Sequence, residues 1–361
     1  MALLARCLSS EKYELHLGIV AQASAPSDEF PAHLTVHSLG SARVRFAGIR
    51  LLGLVRRVKP RVVISGMFHL NFLVLLLRPM FPRSTRVVVR QNGAVSASLE
   101  FDGLPSYNRL LYRLLYRHAD RVICQSEAMA DDLVKEFGIG TDRLTMLRNP
   151  VDVHAMRTVN GNAPRRWTGA GPHLLAVGRL SPEKGFDLLL GALASLRKQF
   201  PYLDLAIAGS GPEEARLRNL CRELELESAV RFEGYVDRPS DWFPGAAAFV
   251  LPSRHEGLPN ALLEAGAAGL PIVALPAAGG VGEMLRGLPG VWVAAEISAS
   301  ALAASLLKAL RALAPGQRFT HEFVEPFSLE RAIHGYEDMI DAIVQNHLPS
   351  RDRVLSKERR P

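Results

Sequence analysis

The chain has 361 residues, of which 48% are hydrophobic and 22% charged. That is room for two domains with substantial cores, and it excludes both a disulfide-stapled miniature scaffold and wholesale disorder. The three cysteines, Cys7, Cys124 and Cys221, are scattered with no C-x-x-C pair, which suits a reducing cytosol and offers no zinc or redox motif. The formal charge is +7, and all of the excess lies in residues 1–155, which hold 20 Lys and Arg against 13 Asp and Glu. A basic lobe attracts nucleic acid, acidic lipid headgroups or phosphorylated small molecules. Charge alone does not choose among them.

In chain order, the opening MALLARCLSSEKYE is too short in its apolar part, and too soon interrupted by Arg6, for a secretory signal, so no export is expected. Short β-branched or apolar runs then alternate with longer stretches of helical period. Buried strands are expected at 16–21, 33–39, 61–65, 86–91, 121–126 and 143–147. Between Ser41 and Lys59 the apolar Val44, Ala47, Leu51, Leu52 and Val55 keep to one helix face. The most apolar stretch, Leu70 to Phe81, contains Asn71 and Arg78 and falls short of the ~20 residues of a membrane span. It reads first as a core helix; the second reading puts Phe72, Met80 and Phe81, beside Arg78 and Arg83, on a membrane surface. Strands alternating with helices specify parallel sheets with crossover helices.

From Asn149-Pro150 to Pro172 the chain carries Asn, Gly, Pro and Thr without an apolar period, the expected interdomain linker. The expected division is an N-terminal domain over 1–155 and a C-terminal domain over 156–325. The second series of strands is expected at 173–178, 203–209, 230–236, 247–252, 271–275 and 290–294. Two such domains in tandem put a ligand cleft at the carboxyl ends of their strands. A last helix, Leu329 to Val344, lies within 326–346 with Ile333, Tyr336, Ile340 and Ile343 on one face, and the tail 347–361, ending SKERRP, reads as solvated.

The stretch VGRLSPEKGFDLLLGAL opens the second domain. Its strand runs into Gly178 and Arg179, and the loop closes at Lys184-Gly185 before a helix with Phe186, Leu189, Leu190, Leu193 and Leu196 inward. Two cations thus flank a helix start whose free N–H groups already favour anions, Arg adding a bidentate fork and Lys a point charge. Solvated charge beside a turn glycine is the bland reading of any lone Gly-Arg or Lys-Gly pair. The position after a parallel strand favours a diphosphate site instead. The second constellation is HEGLPNALLEAGAAGLPIVA. Gly257 and Pro259 keep Glu256 in the loop, and Glu264 falls inside the following helix, at most ~12 Å away along the axis. That is too far for a close acid/base pair. It suits two hydroxyl-bearing groups on one extended ligand, because carboxylates accept hydrogen bonds from vicinal hydroxyls. A ribose at one end, a sugar at the other and a diphosphate between satisfy both constellations.

Gly178-Arg179, Lys184-Gly185, AGSGPE (208–213), FEGYV (232–236), PSRHEGLPNALLEA (252–265) with its E-x7-E, the Gly279-Gly280 turn and Asn149-Pro150-Val151-Asp152 occur in order. With them, most of 120–345 resembles the retaining glycosyltransferases of family four, which have the GT-B fold of two Rossmann-like α/β domains facing a cleft. The resemblance implies that Arg179 and Lys184 neutralise the donor diphosphate, that Glu256 holds hydroxyls of the transferred sugar and that Glu264 holds the ribose. It also implies donor-binding roles for Gly178, Gly257 and Leu258, a base bordered by the Tyr235-Val236 backbone, and a last helix that crosses back to the acceptor-side N-terminal domain. Such enzymes need neither metal nor cofactor, and this chain has no D-x-D motif. The nucleotide sugar is a co-substrate, UDP-sugar ahead of GDP-sugar. Retention is explained without a protein nucleophile: the departing phosphate deprotonates the acceptor hydroxyl, and Glu256 positions the sugar.

Two features depart from the family pattern. A member opens with a strand and a glycine-rich turn, whereas ALLARCLSSEKYELHLGIV resembles the helix and second strand that come next, so the first strand and turn are expected to be missing. Where members carry a cleft histidine, this chain has Asn92 and Gly93 after RVVVRQ; His69 is the nearest substitute, although a lone His among apolar residues is more often structural, and His255, beside Glu256, is a second cleft candidate that would face the sugar. The expected function is transfer of a sugar from a nucleotide sugar to a lipid-linked or surface-glycan acceptor, in lipopolysaccharide, exopolysaccharide or glycolipid synthesis. The expected place is the cytoplasm, with a peripheral position at the inner face of the cell membrane left open. Expected partners are the nucleotide sugar, the acceptor and an anionic membrane surface, with no nucleic acid. The rivals are an inactive glycosyltransferase-like binding subunit and a two-domain sugar-nucleotide epimerase. A nucleic-acid binder is the third, and no aromatic-basic stacking motif supports it.

Overall fold

The computed structural model describes residues 2–20, 30–41, 43–93, 95, 96, 99, 105, 107–158, 166–169, 171–277 and 281–345. The Gly279-Gly280 turn and the tail lie outside them. Two compact units result, Met1–Pro150 with Glu330–Pro361, and Val151–Leu329.

The first unit begins with α1 (Ala2–Cys7) and two parallel strands, β1 (Leu15–Ile19) and β2 (Leu34–Ser38), in register from Leu15 with Leu34 to Ile19 with Ser38. There follow α2 (Gly48–Val58), β3 (Val62–Ser65), α3 (Phe68–Leu77), β4 (Arg86–Arg90), α4 (Tyr107–Leu115), β5 (Arg121–Cys124), α5 (Glu127–Phe137) and β6 (Leu144–Met146). Strands β3 to β6 make one parallel sheet in sequence order. The helix expected from Ser41 starts only at Gly48, because a 3-10 turn over Val44–Phe46, closed by the Ala47 amide on the Val44 carbonyl, takes its first residues.

Side chains alternate across the sheet as a strand requires. Val87, Val89, Val122 and Cys124 meet Leu51, Val55, Val74, Leu75, Tyr112 and Leu133 on one face, while Val88 and Ile123 lie under Leu4 and Leu8 on the other. Phe81 is buried in the first of these layers, and Phe72 packs edge-on against Tyr112 with ring centroids 4.9 Å apart. Both belong to the core, as the first reading expects, and only the second reading, membrane contact, fails for them. Arg78 pairs with Asp120 at 2.8 Å, leaving only Met80 of the apolar trio exposed. The buried Tyr116 hydroxyl is paired: it donates to Gln91 Oε1 at 2.9 Å and accepts from Asn71 Nδ2 at 3.0 Å. Left unpaired there, it would cost ~1–3 kcal/mol.

The second unit contains α6 (Val153–Thr158), β7 (His173–Val177), α7 (Phe186–Arg197), β8 (Asp204–Ala208), α8 (Glu214–Glu223) and β9 (Val230–Gly234). It continues with β10 (Ala248–Leu251), α9 (Asn260–Ala267), β11 (Ile272–Ala274), α10 (Val281–Leu285), β12 (Val291–Val293) and α11 (Ala299–Ala312). All six strands are parallel, in the order β12-β11-β10-β7-β8-β9. The chain therefore builds outward from β7 in one direction and from β10 in the other. Helix α7 covers the face of Leu174, Ala176, Leu205 and Ile207, and α9 the opposite face of Leu175, Phe249 and Leu251. Helices on opposite faces after adjacent strands open a crevice at their carboxyl ends.

The units divide at Pro150/Val151 and Leu329/Glu330, a few residues from the expected 155/156 and 325/326. The Val151 amide donates to the Phe327 carbonyl at 2.8 Å, the Leu329 amide donates to the Val151 carbonyl at 3.0 Å, and Val153 is buried with Leu263 and Phe327. Residues 151–158, expected as linker, thus form part of the second core. The last helix, α12 (Leu329–Val344), packs Tyr336, Met339, Ile340 and Ile343 against Leu4, Leu8, Val88 and Ile123 of the first unit. Lys12 Nζ fastens it to Asp341 at 2.6 Å.

Candidate active site

Because β7 and β10 are neighbours, the loops that leave their carboxyl ends emerge side by side. The first, 178–185, lies back to back with the loop after β8: the Gly178 amide donates to the Ala208 carbonyl and the Leu180 amide to the Ser210 carbonyl, both at 3.0 Å. A Cβ on Gly211 would stand 2.3 Å from the Leu180 carbonyl oxygen, so the second glycine of AGSGPE is needed for this approach. Gly185 has φ +65°, and a Cβ there would stand 2.0 Å from the Pro252 carbonyl oxygen. Only glycine lets the start of α7 rest on the backbone that follows β10.

This contact brings Lys184 and Glu256, 72 residues apart in sequence, to 2.7 Å between Nζ and Oε1. Ser253 Oγ donates to the same Oε1 at 2.6 Å. Glu256 is buried, and its Oε2 carries no hydrogen bond among the described residues. Around this centre Arg254 forms a two-pronged bond with Asp187, 2.7 Å from Nη1 to Oδ1 and 2.7 Å from Nη2 to Oδ2. Nη1 of Arg254 also reaches the Pro182 carbonyl at 2.9 Å, and its amide donates to the Glu183 carbonyl at 2.8 Å. Burial alone would push the Asp187 carboxyl up; the Arg254 fork overrides it and holds the group below its ordinary range. Ser181 Oγ, just before the turn, donates to Glu183 Oε1.

Of the residues expected from sequence, Gly178, Lys184, Glu256 and Gly257 thus meet at adjoining strand ends. Arg179 is exposed at the same end of β7 and pairs with no carboxylate among the described residues. Glu264 sits on α9, half-buried, with no hydrogen bond to its carboxylate among the described residues, and burial pushes its pKa up. Leu258 packs with Val151 and Leu263 instead of standing open, and Val236 leans on the Phe249 side of the sheet while Tyr235 is exposed. His255 is half-buried, with its amide directed at the Glu183 carbonyl at 3.5 Å. His69 lies in the first unit, exposed at the start of α3 against the Phe68 ring, and partial burial lowers its pKa. Ser253 and the Arg254–Asp187 pair are additions that the motif reading missed. Their signal was a serine three residues before Glu256 and an acid in the first turn of α7.

The pattern of Glycosyltransferase Family 4 matches residues 1–155, and that of Glycosyl transferases group 1 matches 165–318. Glycogen synthase of Mycobacterium tuberculosis is 32% identical over 302 residues, 79% of this chain and 71% of that protein. The chain belongs to glycosyltransferase family four. Lys184, Arg254, Glu256 and Glu264 all lie within the second of the two matched regions. A second family relative, N-acetylgalactosamine-N,N'-diacetylbacillosaminyl-diphospho-undecaprenol 4-alpha-N-acetylgalactosaminyltransferase of Campylobacter jejuni, is 29% identical over 215 residues, 59% of this chain and 57% of that protein. Among solved structures, HepE of Anabaena in complex with UDP and glucose aligns over 96% of this chain and 93% of its own at 16% identity, with a TM-score of 0.71. That likeness shows the fold, GT-B. This family four glycosyltransferase is thus built on two Rossmann-like parallel-sheet units.

Proposed function

We propose that this glycosyltransferase is a retaining, metal-independent hexosyltransferase that uses a UDP-sugar and a lipid-linked or surface-glycan acceptor at the inner face of the cell membrane. The observation that carries the donor half is the Lys184–Glu256 pair beside exposed Arg179, at the strand ends where the sheet order reverses. A diphosphate entering there meets the Arg179 fork, the Lys184 ammonium and the first amides of α7, a set of fixed positive ends that stabilises a leaving phosphate in place of a metal. Lys184 and Ser253 both address Oε1 of Glu256, which leaves Oε2 to accept from a sugar hydroxyl. A carboxylate so engaged positions the sugar and makes no bond to its anomeric carbon. In the transfer, the acceptor oxygen bonds to the anomeric carbon on the face from which the phosphate oxygen departs, and the acceptor proton passes to that phosphate oxygen.

The acceptor half is supported by the Campylobacter relative, whose name specifies an undecaprenol-linked acceptor. UDP as the nucleotide is supported by the UDP in the HepE structure. The test is UDP release from a panel of UDP-sugars in EDTA, with the anomer of the product read by proton NMR. Turnover in EDTA with the donor's anomeric configuration kept is expected. Turnover only on adding a divalent metal, or an inverted anomer, would overturn the proposal.

A further inference from the structure

Between Arg43 and Arg117 the chain holds fourteen Arg and Lys and two carboxylates, Glu100 and Asp102. Its helices α2, α3 and α4 are neighbours in the layer that covers one face of the β3–β6 sheet, with Leu51, Leu75 and Tyr112 meeting in one core beneath them. Their outer faces are apolar where a solvated layer would be polar. At α2 these are Phe46 and Ile49, the latter 88% exposed; at the end of α3 they are Leu76 and Met80. On α4, Tyr107, Leu110 and Leu114 make one outward stripe at spacings of three and four.

Cations stand among these side chains. Arg45 lies 4.8 Å over the Phe46 ring, and Arg113 and Arg117 flank Leu114. Arg109 pairs with Glu136, but among the described residues Arg45, Arg50, Arg56, Arg113 and Arg117 pair with no carboxylate. The two properties together select the partner. Nucleic acid would match the charge and leave Ile49, Leu76, Leu110 and Leu114 without use. A second copy would match the apolar side chains but set arginine against arginine. A lipid surface matches both, since apolar side chains enter the acyl boundary while arginine stems lie along it and their heads reach headgroup phosphates.

We infer that the outer face of α2, α3 and α4 docks on an anionic phospholipid surface. The inference deepens the membrane-side part of the proposed function and is independent of the donor site. It also replaces the core-packed Phe72 and Phe81 of the second sequence reading with residues that are exposed.

Flotation with vesicles of phosphatidylcholine, alone or mixed with phosphatidylglycerol, tests it. The protein is expected to float with the anionic vesicles only, and to be released as salt rises from about 0.1 to about 0.5 M. Arg113→Ala combined with Arg117→Ala lowers the partition by about thirtyfold, at roughly fivefold per surface arginine. Leu110→Ser combined with Leu114→Ser lowers it by about tenfold or more. These positions are exposed, and the hydrogen bonds lost from Arg113 to the Glu136 carbonyl are themselves exposed, so both variants are expected to melt close to the parent and to keep its UDP affinity. Calorimetry with UDP on the same samples reports on the donor site separately. No flotation, equal flotation with neutral vesicles, or variants that float like the parent would each overturn the inference. So would a dimer in sedimentation that the leucine variant dissolves, with no vesicle capture.

Discussion

Arg254 holds Asp187 with both guanidinium nitrogens, each 2.7 Å from a carboxylate oxygen. The pair fastens the loop that carries Glu256 to the first turn of the helix that follows Lys184. Neither residue touches the groups expected to meet the donor, yet the 2.7 Å contact between Lys184 and Glu256 depends on how these two loops are held.

Removing the fork in Arg254→Ala is expected to cost about 1–2 kcal/mol of stability, less than a fully buried pair would because both side chains are partly open to water. The acid dependence follows from the sign of the shift. Asp187 is held below its ordinary range in the folded state, so its contribution is present above its unfolded pKa of ~3.9 and is lost as pH falls through that value and below. Chemical denaturation from pH 7 to pH 3 should therefore show a shallower acid loss in Arg254→Ala than in the parent. Turnover should fall more than UDP affinity, because the displaced loop carries Glu256, which is proposed to hold the sugar. Identical acid profiles would contradict the assignment.

Gly185→Ala should be worse than its size suggests. The backbone sits at φ +65° and the new methyl would stand 2.0 Å from the Pro252 carbonyl oxygen, so the loops must part. A loss of about 2 kcal/mol or more in thermal unfolding is expected, together with loss of UDP binding in calorimetry. A control in the first unit without a close contact, Gly138→Asn, has φ +68° and nothing within 4 Å of its Cβ, and should fold and bind normally.

Much of the fold was legible because each strand is an apolar run flanked by turn residues and each helix keeps a 3.6-residue period. The last helix, Leu329–Val344, was readable to its ends for that reason. The start of α2 was not, since the 3-10 turn over Val44–Phe46 preserves the same apolar spacing. In the site, Lys184 and Glu256 were legible from their positions after strands. Their direct contact was not, because strand order decides which loops are adjacent and periodicity carries no strand order. The same blindness hid the Arg254–Asp187 fork, 67 residues apart in sequence. Exposed Leu110 and Leu114 were equally hidden, since an outward apolar stripe has the period of an inward one.

The Lys184–Glu256 pair makes a prediction of opposite signs. Lys184→Met alone leaves a buried carboxylate facing a methyl group and should destabilise the protein by ~3 kcal/mol. Adding Glu256→Gln removes the uncompensated charge, so the double variant should recover most of that loss in urea unfolding. UDP binding should be lost in both, since the proposed contact of the diphosphate with the Lys184 ammonium is gone. A double variant no more stable than Lys184→Met would show that the pair contributes nothing as a pair.

Glu264 separates stability from binding most sharply. Its carboxylate accepts no hydrogen bond among the described residues, and burial raises its pKa above the ordinary value. A raised acid pKa means that stability is fully present below the unfolded value of ~4.3 and is lost as pH rises through the folded one. Above its folded pKa the group therefore carries an unfavourable half-buried charge in the free enzyme. Glu264→Gln should melt higher than the parent there, and the difference should close near pH 4. If the ribose hydroxyls are what this carboxylate is kept for, the same substitution should weaken UDP by about tenfold or more, the worth of a charge-assisted hydrogen bond. Glu256→Gln should leave UDP affinity nearly unchanged and weaken only the UDP-sugar. Calorimetry of both variants with both ligands, beside melting curves across pH, reads all of this. Equal losses for UDP and UDP-sugar in both variants would rule out the division of roles between the two glutamates.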